Sequence, residues 1–400
     1  MTGQSVAMVA GEKSGDLLAA AILGGLREHG YLGQTGKAAG IGGDAMVAQG
    51  FETWWHIDSL SVRGYLEVLP ALPRLLWMRR RLRQRLMEWR PKLFIGVDAP
   101  DFNLDLEVAL RASGQRVVHF ISPSVWAWRR ERMEKIRRAV DHMLLIFPFE
   151  ADIYAQANVP ATYVGHPLAD LIAPMVDRDR LRSDLNLQHN QPVIALLPGS
   201  RPDEVRYMGA TFFQTALWLL EREPQLQFVV PAANAALGIA LHRQQSRLPR
   251  AAIERIRILD GQAHDALGAC DTALIASGTA TLEALFFHRP MVIAYKMSEL
   301  SYRMMRGKAY MPYYGLPNIL SGEFVVPEYM QDQARPDKLG AALLAQLHDP
   351  QARESISRRF REIHESMRLG CASRAAQVLM EQAGRTIIAS ALPQLPQARP

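Results

Sequence analysis

The chain has 400 residues, 48% of them hydrophobic and 22% charged, with a formal net charge of +6. That length exceeds one ordinary core, so two domains are expected. Two cysteines, Cys270 and Cys371, exclude a disulfide framework and a Cys-based metal site, and they fit a reducing cytoplasm.

The positive balance favours an acidic partner, whether nucleic acid, a phosphorylated ligand or an anionic membrane, without choosing among them. Glu12, Lys13 and Asp16 stand where a signal peptide would need an apolar core. No uncharged run reaches the roughly 18–20 residues of a spanning helix, so a cytosolic or peripheral protein is expected.

The first apolar run, 5–10, reads as a buried strand, with a helix over 16–29 behind it. The turn between them, Ala10-Gly11-Glu12-Lys13-Ser14-Gly15-Asp16, has the small residues of a dinucleotide loop but not the G-x-G-x-x-G spacing. A buried carboxylate at Glu12 would also repel a pyrophosphate. Glu12, Ser14 and Asp16 therefore read either as a polar loop for sugar hydroxyls or as a plain connection with Ser14 or Asp16 as N-cap.

Farther on, Leu75, Met78, Leu82, Leu86 and Trp89 recur at helical spacing, while Arg74, Arg79, Arg80, Arg81, Arg83 and Arg85 crowd the remaining faces. Leu66, Leu69, Leu72, Leu76 and Trp77 add apolar surface beyond that stripe. A basic amphipathic helix with tryptophan can lie on an anionic bilayer, so the 66–89 region is read as membrane-contacting rather than as an ordinary surface helix. Nucleic acid is not expected, since no binding motif is present and the aromatics are not interleaved with the bases.

The run 93–97 reads as a central strand leading into Gly96-Val97-Asp98-Ala99-Pro100-Asp101-Phe102-Asn103. A carboxylate at such a strand end can act as general base on a hydroxyl, a role typically worth ~10²–10⁴ in rate. Asp98 is ranked ahead of Asp101; the competing reading is turn chemistry, with Asp101 as a helix cap. Strands follow at 117–121 and 142–147, with Ser122-Pro123-Ser124-Val125-Trp126-Ala127-Trp128-Arg129 after the first of them. Trp126 and Trp128 cannot share a helical face, so either one lines a cleft while the other packs, or both are core. His166, before Pro167, reads as a hydrogen-bonded hinge residue, and the eleven histidines show no metal-ligand spacing.

A charged, strand-free stretch (177–190) separates this series from a second: 193–197, 227–230, 256–259, 272–275 and 291–295, with a helix over 208–221. Leu197-Pro198-Gly199-Ser200-Arg201 is a strand, a tight turn and a helix start, which aims backbone N–H groups at an anion. Arg201 adds a fork-shaped donor, unless it simply pairs with Asp203 or Glu204. Ser277-Gly278-Thr279-Ala280-Thr281-Leu282-Glu283 repeats the plan, with Glu283 one helical turn in, where ribose hydroxyls could donate to it. The same letters resemble a capping box, a compatible reading. One helix end stabilises a negative charge by only ~0.3–1 kcal/mol, so several donors must converge on a pyrophosphate. Two such turns suggest a nucleoside diphosphate, and Leu316-Pro317-Asn318 could bring an amide to it. Beyond Pro336 the pattern is helical to about 389, and the last ten residues carry three prolines.

Strands alternating with helices predict an α/β fold of two doubly wound, Rossmann-like domains facing a cleft. The expected boundaries are 1–168, a linker at 169–192, 193–345, C-terminal helices at 346–389 and a tail at 390–400.

Taken in order, Ala10–Asp16, Gly40–Gly43, Leu60-Ser61-Val62, Gly96–Asn103, Ser122–Arg129, Val164–Asp170, Leu197–Arg201, Ser277–Glu283 and Leu316–Asn318 resemble the lipid-A-disaccharide synthase family of bacterial glycosyltransferases. They span residues 5 to about 330. Arg63 departs from the apolar residue expected before Gly64.

The resemblance implies the two-domain fold called GT-B and an inverting transfer from UDP-2,3-diacylglucosamine to the 6-hydroxyl of 2,3-diacylglucosamine 1-phosphate. It implies an acceptor-binding N-terminal domain (Glu12, Ser14, Asp16, Ser122, Trp126) and a donor-binding C-terminal domain (Gly199, Ser200, Arg201, Ser277, Gly278, Thr279, Glu283, Asn318). Asp98 would be the base, with no cofactor and no metal. A place on the cytoplasmic face of the inner membrane of a Gram-negative cell follows from the acceptor, whose two acyl chains carry on the order of 20 kcal/mol of membrane preference. Assembly as a homodimer is left open. The competing readings are a UDP-sugar epimerase of the same fold and a non-catalytic membrane adaptor; a nicotinamide-linked dehydrogenase is disfavoured by the glycine spacing of the first turn.

Overall fold

The computed structural model describes residues 4–33, 35–60, 65–126, 131–297, 302 and 312–384, apart from the side chains of 65–69 and 71. The sequence readings on Ser61, Val62 and Arg63, on the side chains of Leu66 and Leu69, on Ala127, Trp128 and Arg129, and on the 390–400 tail lie outside the described residues. Two compact units divide the chain: Met1–Pro167 with Gly370–Pro400, and Leu168–Leu369.

The first unit is built on a seven-stranded sheet: β1 (Ser5–Ala10), β2 (Lys37–Gly42), β3 (Glu52–His56), β4 (Leu93–Val97), β5 (Val117–Phe120), β6 (His142–Leu145) and β7 (Ala161–Tyr163). Their order is β3-β2-β1-β4-β5-β6-β7, with parallel pairings. β4, β5 and β6 are buried throughout, as expected of parallel strands covered on both faces by helices. Register pairs Val6 with Leu93 and Ala10 with Val97, so β1 and β4 end together. Strand order reverses between these two, which puts the crevice for a ligand at their carboxyl ends.

Three strands of this unit escaped the sequence reading. β2 is Lys-Ala-Ala-Gly-Ile-Gly, with only one large apolar residue, and β3 and β7 are half-buried strands at the two sheet edges. Such strands lack the continuous apolar run that marks a central one. β5 stops one residue before the expected end because Ile121 turns to φ 78°, outside the extended region.

The helix Tyr65–Trp89 buries Met78, Leu82 and Leu86 in the same cluster as Val9, Phe94 and Leu145. The expected stripe is therefore core. Leu72, Leu76 and Trp77 are exposed beside it. No helix among the described residues is long and apolar enough to cross a membrane.

The C-terminal helices do not stay together. The helices Pro336–His348 and Pro350–Met367 lie in the second unit, whereas Cys371–Gly384 belongs to the first. There it packs so closely on the helix Lys13–Glu28 that a Cβ on Gly25 would come within 2.8 Å of the Ala372 carbonyl. The contact is closed by His29 Nε2 and Ser373 Oγ at 2.8 Å, and by Arg116 donating to the Gln382 carbonyl at 3.2 Å.

The second unit has a six-stranded parallel sheet: β8 (Val193–Leu197), β9 (Gln227–Ala232), β10 (Ile256–Asp260), β11 (Thr272–Ala276), β12 (Met291–Tyr295) and β13 (Glu328–Met330), in the order β10-β9-β8-β11-β12-β13. Its reversal lies between β8 and β11, over a core that includes Ile194, Phe212, Phe228, Leu274 and Leu339. The stretch 177–190 is no free linker. Its helix Arg178–Asp184 sinks Arg182 into the unit, where the guanidinium donates to the Ala269 carbonyl at 3.0 Å and to Asp271 at 2.8 Å.

Candidate active site

In the first unit the turns after β1 and β4 touch. A Cβ on Gly11 would stand 2.4 Å from the Cβ of Ala99, so only glycine admits this approach. Asp98 and Ala99 both take left-handed backbone, φ 51° and 45°. Asp tolerates that region better than most residues, Ala does not, and such strain collects at functional turns. Asn103, fully buried one turn into the helix Pro100–Ala112, holds the turn by donating to the Asp98 carbonyl at 2.8 Å. The Asp98 carboxylate is half-buried and has no hydrogen bond or ion pair among the described residues. Asp101, by contrast, is exposed and paired with Arg132 at 2.6 Å. The two carboxylates are thereby distinguished: Asp98 is unengaged at the crevice, and Asp101 belongs to a surface ion pair.

The turn after β1 corrects two expectations. Glu12 is exposed rather than buried, and it occupies the N-cap position without making a side-chain cap. Asp16 is buried and accepts from the N–H groups of Gly43 (2.8 Å), Ala45 (3.0 Å) and Met46 (3.2 Å). Its carboxylate caps the short helix Asp44–Ala48 across the sheet edge, so its oxygens are already engaged. Glu12 and Ser14 remain exposed at the crevice.

Ser122 is buried, donates to the Pro123 carbonyl at 2.9 Å and lies 2.8 Å from the Tyr154 hydroxyl. Trp126 meets Phe149 and Phe147 edge-on, with centroids 5.3 and 6.3 Å apart, and is nearly buried; it packs. Phe147 lies against His166, whose imidazole is driven down to about 3 by burial. Below this aromatic group sits Glu150, which the sequence reading missed. Burial lifts its carboxyl to about 8, even though the Phe147 N–H and the Ser122 hydroxyl pull the other way. Nothing in a Phe-Glu-Ala sequence at a helix start marks such a residue, because only the fold buries it.

In the second unit the two expected turns flank β8 and β11. Gly199 has φ 127°, and a Cβ there would fall 2.3 Å from the Cβ of Glu204. Glu204 accepts from the N–H groups of Ser200 (2.9 Å) and Arg201 (3.2 Å), and the Arg201 guanidinium lies 3.3 Å from it. The salt bridge weighed from sequence thus exists, and those two amides are engaged within the chain. The Arg201 side chain is still 76% exposed. The helix Thr279–Phe286 behaves differently. Among the described residues no side chain caps it and nothing stands within 4 Å of where a Gly278 Cβ would be, while Thr281 donates to the Gly278 carbonyl at 2.8 Å. The capping-box reading is therefore corrected: among the described residues this helix end is uncapped and open, with Ser277 half-buried, Thr279 exposed and Glu283 half-buried one turn in. Burial raises the Glu283 carboxyl above its usual range, with His264 opposing.

Asn318 is fully buried. Its amide donates to the Val326 carbonyl (2.8 Å) and Glu328 (2.7 Å) and accepts from Val325 (2.9 Å) and Val326 (3.0 Å), which latches its helix to β13. All four bonds are internal, so its part in the site is to shape the loop. Lys296, at the end of β12, was not singled out from sequence; its Nζ donates to Thr211 at 2.9 Å.

Comparison with known proteins bears on the family and the fold. The family model described as lipid-A-disaccharide synthetase matches residues 6–381. A lipid-A-disaccharide synthase of Cupriavidus pinatubonensis is 49% identical over 377 residues, covering 94% of this chain and 92% of that one. The Dechloromonas aromatica protein of the same name is 46% identical, covering 94% and 98%. Among solved structures, UDP-GlcNAc 2-epimerase from Neisseria meningitidis superimposes with a TM-score of 0.65 at 12% identity, covering 94% of this chain and all of that one. The calicheamicin glycosyltransferase CalG4 gives 0.60 at 13%, covering 97% and 100%. At such identities these two share the fold and no more. The match along 6–381 and the identity near one half over almost the full length decide the rest: this chain belongs to the lipid-A-disaccharide synthetase family.

Proposed function

We propose that the chain transfers 2,3-diacylglucosamine from its UDP derivative to the 6-hydroxyl of 2,3-diacylglucosamine 1-phosphate, giving the β-1,6-linked disaccharide 1-phosphate and UDP with inversion. The acceptor oxygen forms a bond to the anomeric carbon as the bond from that carbon to the UDP oxygen breaks. The hydroxyl proton passes to Asp98, and the electron pair leaves with UDP. The carrying observation is that the unengaged Asp98 carboxylate and the uncapped, open helix end at Gly278 each lie where strand order reverses in their sheet.

On this reading the first unit takes the acceptor, with Glu12 and Ser14 toward the sugar and Asp16, Ser122 and Trp126 shaping the walls. The second takes the donor. Negative charge on departing UDP is offset by the Arg201 guanidinium and by the N–H groups at Gly278 and Thr279, while Gly199 and Ser200 form the turn and Ser277 borders the pocket. Glu283 accepts from the ribose, and Asn318 fixes the adjoining loop. These groups suffice without a metal, so turnover should persist in excess EDTA. The exposed Leu72, Leu76 and Trp77, with Arg81 over Trp77 at 5.8 Å, support contact with the anionic cytoplasmic face of the inner membrane, where a diacylated acceptor resides. Self-association is a separate proposal, tested by the mass of the particle in solution.

The decisive experiment incubates the protein with both lipids and analyses the product by mass. A tetra-acylated disaccharide 1-phosphate, with one UDP released per product, is expected. An epimer formed from UDP-sugar alone would replace this reading with the epimerase, which the family membership disfavours.

A further inference from the structure

The amino-terminal edge of the second sheet lies opposite the turns at Gly199 and Gly278, and it carries a basic hollow that the proposed reaction does not use. Asp271 and Pro290 stand there, immediately before β11 and β12. Two adjoining cavities of about 300 and 220 Å³ open beside them, lined from the segment 173–178, the turn 287–290 and the helix Pro350–Met367. Four arginines, Arg178, Arg289, Arg353 and Arg361, line the hollow against two carboxylates, Asp271 and Glu354. Both carboxylates are already engaged. Asp271 pairs with Arg178 and Arg182 and accepts from the Val193 N–H at 2.8 Å. Glu354 pairs with Arg361. Arg289 and Arg353 form no ion pair among the described residues.

Arg289 is held in place by the chain around it. His288 takes left-handed backbone, φ 57°, and its carbonyl accepts from Ser357 on the helix at 2.9 Å. The His288 ring lies 3.0 Å from that of His364, whose other nitrogen is 2.8 Å from the Ala169 carbonyl. Arg289 Nε donates to the Leu267 carbonyl at 3.0 Å and Nη2 to the Gly268 carbonyl at 2.6 Å. Its Nη1 therefore keeps both N–H groups unengaged among the described residues.

Guanidinium groups crowded this way are costly unless an anion joins them, and their forks match the oxygens of a phosphate. The helix Pro350–Met367 begins at the smaller cavity and adds the positive end of its dipole. The larger cavity has an apolar wall of Pro174, Met175, Val176 and Phe287, with Met175 90% exposed. We propose that this hollow binds the phosphate group of a ligand whose remaining body lies along that apolar wall, with Arg289 and Arg353 as the principal donors. The inference stands apart from the reading of Asp98 and of the donor turns.

The electrostatics agree with the geometry. Burial lowers the Arg289 guanidinium; Cys270 and Asp271 oppose this, while Arg178 and Arg182 add to it. The His288 imidazole is pushed down to about 4 by burial first, then by His364, Arg361 and Arg289. It stays neutral at pH 7, so the arginines alone supply the charge.

The test titrates the full chain with inorganic phosphate by calorimetry at fixed ionic strength, for wild type, Arg353→Gln, Arg289→Lys and Arg201→Gln. Saturable binding by wild type is expected. Arg353→Gln should weaken it about tenfold, the scale of one charge-assisted hydrogen bond. Arg289→Lys keeps the charge and loses the fork, so it should weaken binding severalfold. Arg201→Gln, at the donor turn, should bind within about twofold of wild type. Equal affinity in wild type and folded Arg353→Gln overturns the proposal, as does loss of binding in Arg201→Gln alone. Should Arg289→Lys fail to fold, Arg353→Gln decides. Sedimentation with phosphatidylglycerol vesicles, against phosphatidylcholine, separates the two sources of phosphate. A lipid headgroup is the source if Arg353→Gln weakens sedimentation severalfold and free phosphate competes with the vesicles. A soluble phosphate ester is the source if the vesicles bind both proteins equally while phosphate binding is weakened in Arg353→Gln. No saturable phosphate binding by wild type, with sedimentation unchanged in Arg353→Gln, refutes the site.

Discussion

At the scale of single residues, Asp98 shows how the backbone can choose a test. Its φ of 51° is tolerated by Asn nearly as well as by Asp, so Asp98→Asn should leave the melting temperature unchanged while turnover falls ~10²–10⁴-fold. A loss below about tenfold, in a kinetic assay with both lipids, would remove Asp98 from base duty. Glu150 makes a prediction about stability. Its folded carboxyl is raised from the ordinary 4.5 to about 8, so the folded state keeps a proton that the unfolded chain loses. That contribution is fully present below about pH 4.5 and is lost as pH rises through about 8. Glu150→Gln, which cannot ionise, should therefore melt higher than wild type at pH 8.5 and show a flatter dependence between pH 5 and 8.5. A melting curve that falls as steeply in the variant would show that other groups govern this window. Asp98 was legible as a candidate from sequence because its carboxylate follows a strand and enters the turn Ala99-Pro100. Glu150 was not, since it looks like an ordinary polar residue until neighbouring elements enclose it.

At the scale of elements, the helix Tyr65–Trp89 carries two apolar surfaces with separate duties. Met78, Leu82 and Leu86 serve the core, so Leu82→Ala should destabilise the first unit by ~2–5 kcal/mol in urea unfolding. Leu72, Leu76 and Trp77 face outward, and replacing all three with Ser should leave stability intact yet weaken sedimentation with anionic vesicles severalfold. Equal vesicle binding by the triple variant would exclude this face as the membrane contact. The sequence reading found both sets of residues, and it was the apolar residues beyond the regular stripe, which packing on the sheet would not account for, that tipped the 66–89 region to membrane contact. A stripe at spacing three and four fits a protein core as well as a bilayer, and periodicity alone does not say which surface faces which neighbour. The turns after β8 and β11 teach the same lesson, since both read as helix starts with free N–H groups. Glu204 occupies one of them, and among the described residues no side chain occupies the other.

At the scale of the whole molecule, the helix Cys371–Gly384 ties the end of the chain to the first unit after the second is complete. Ending the chain at Leu369 should therefore lower the melting transition of the first unit by several degrees and leave that of the second in place. Calorimetry separates the two, and a single transition falling as one would contradict the division. What the sequence determined by itself was the class of fold, the central strands, the turns at their ends and the family. Each depends on local signals: apolar runs, glycine and proline positions, and motifs in order. What tertiary structure alone decided was which carboxylate stays unengaged, which helix end stays open, where Asp16 and Asn318 spend their hydrogen bonds, and which charges are buried in pairs. Those outcomes depend on atoms brought together from distant parts of the chain, such as Gly96 against Glu107 or Gly25 against Ala372, and no local pattern of residues encodes such a meeting.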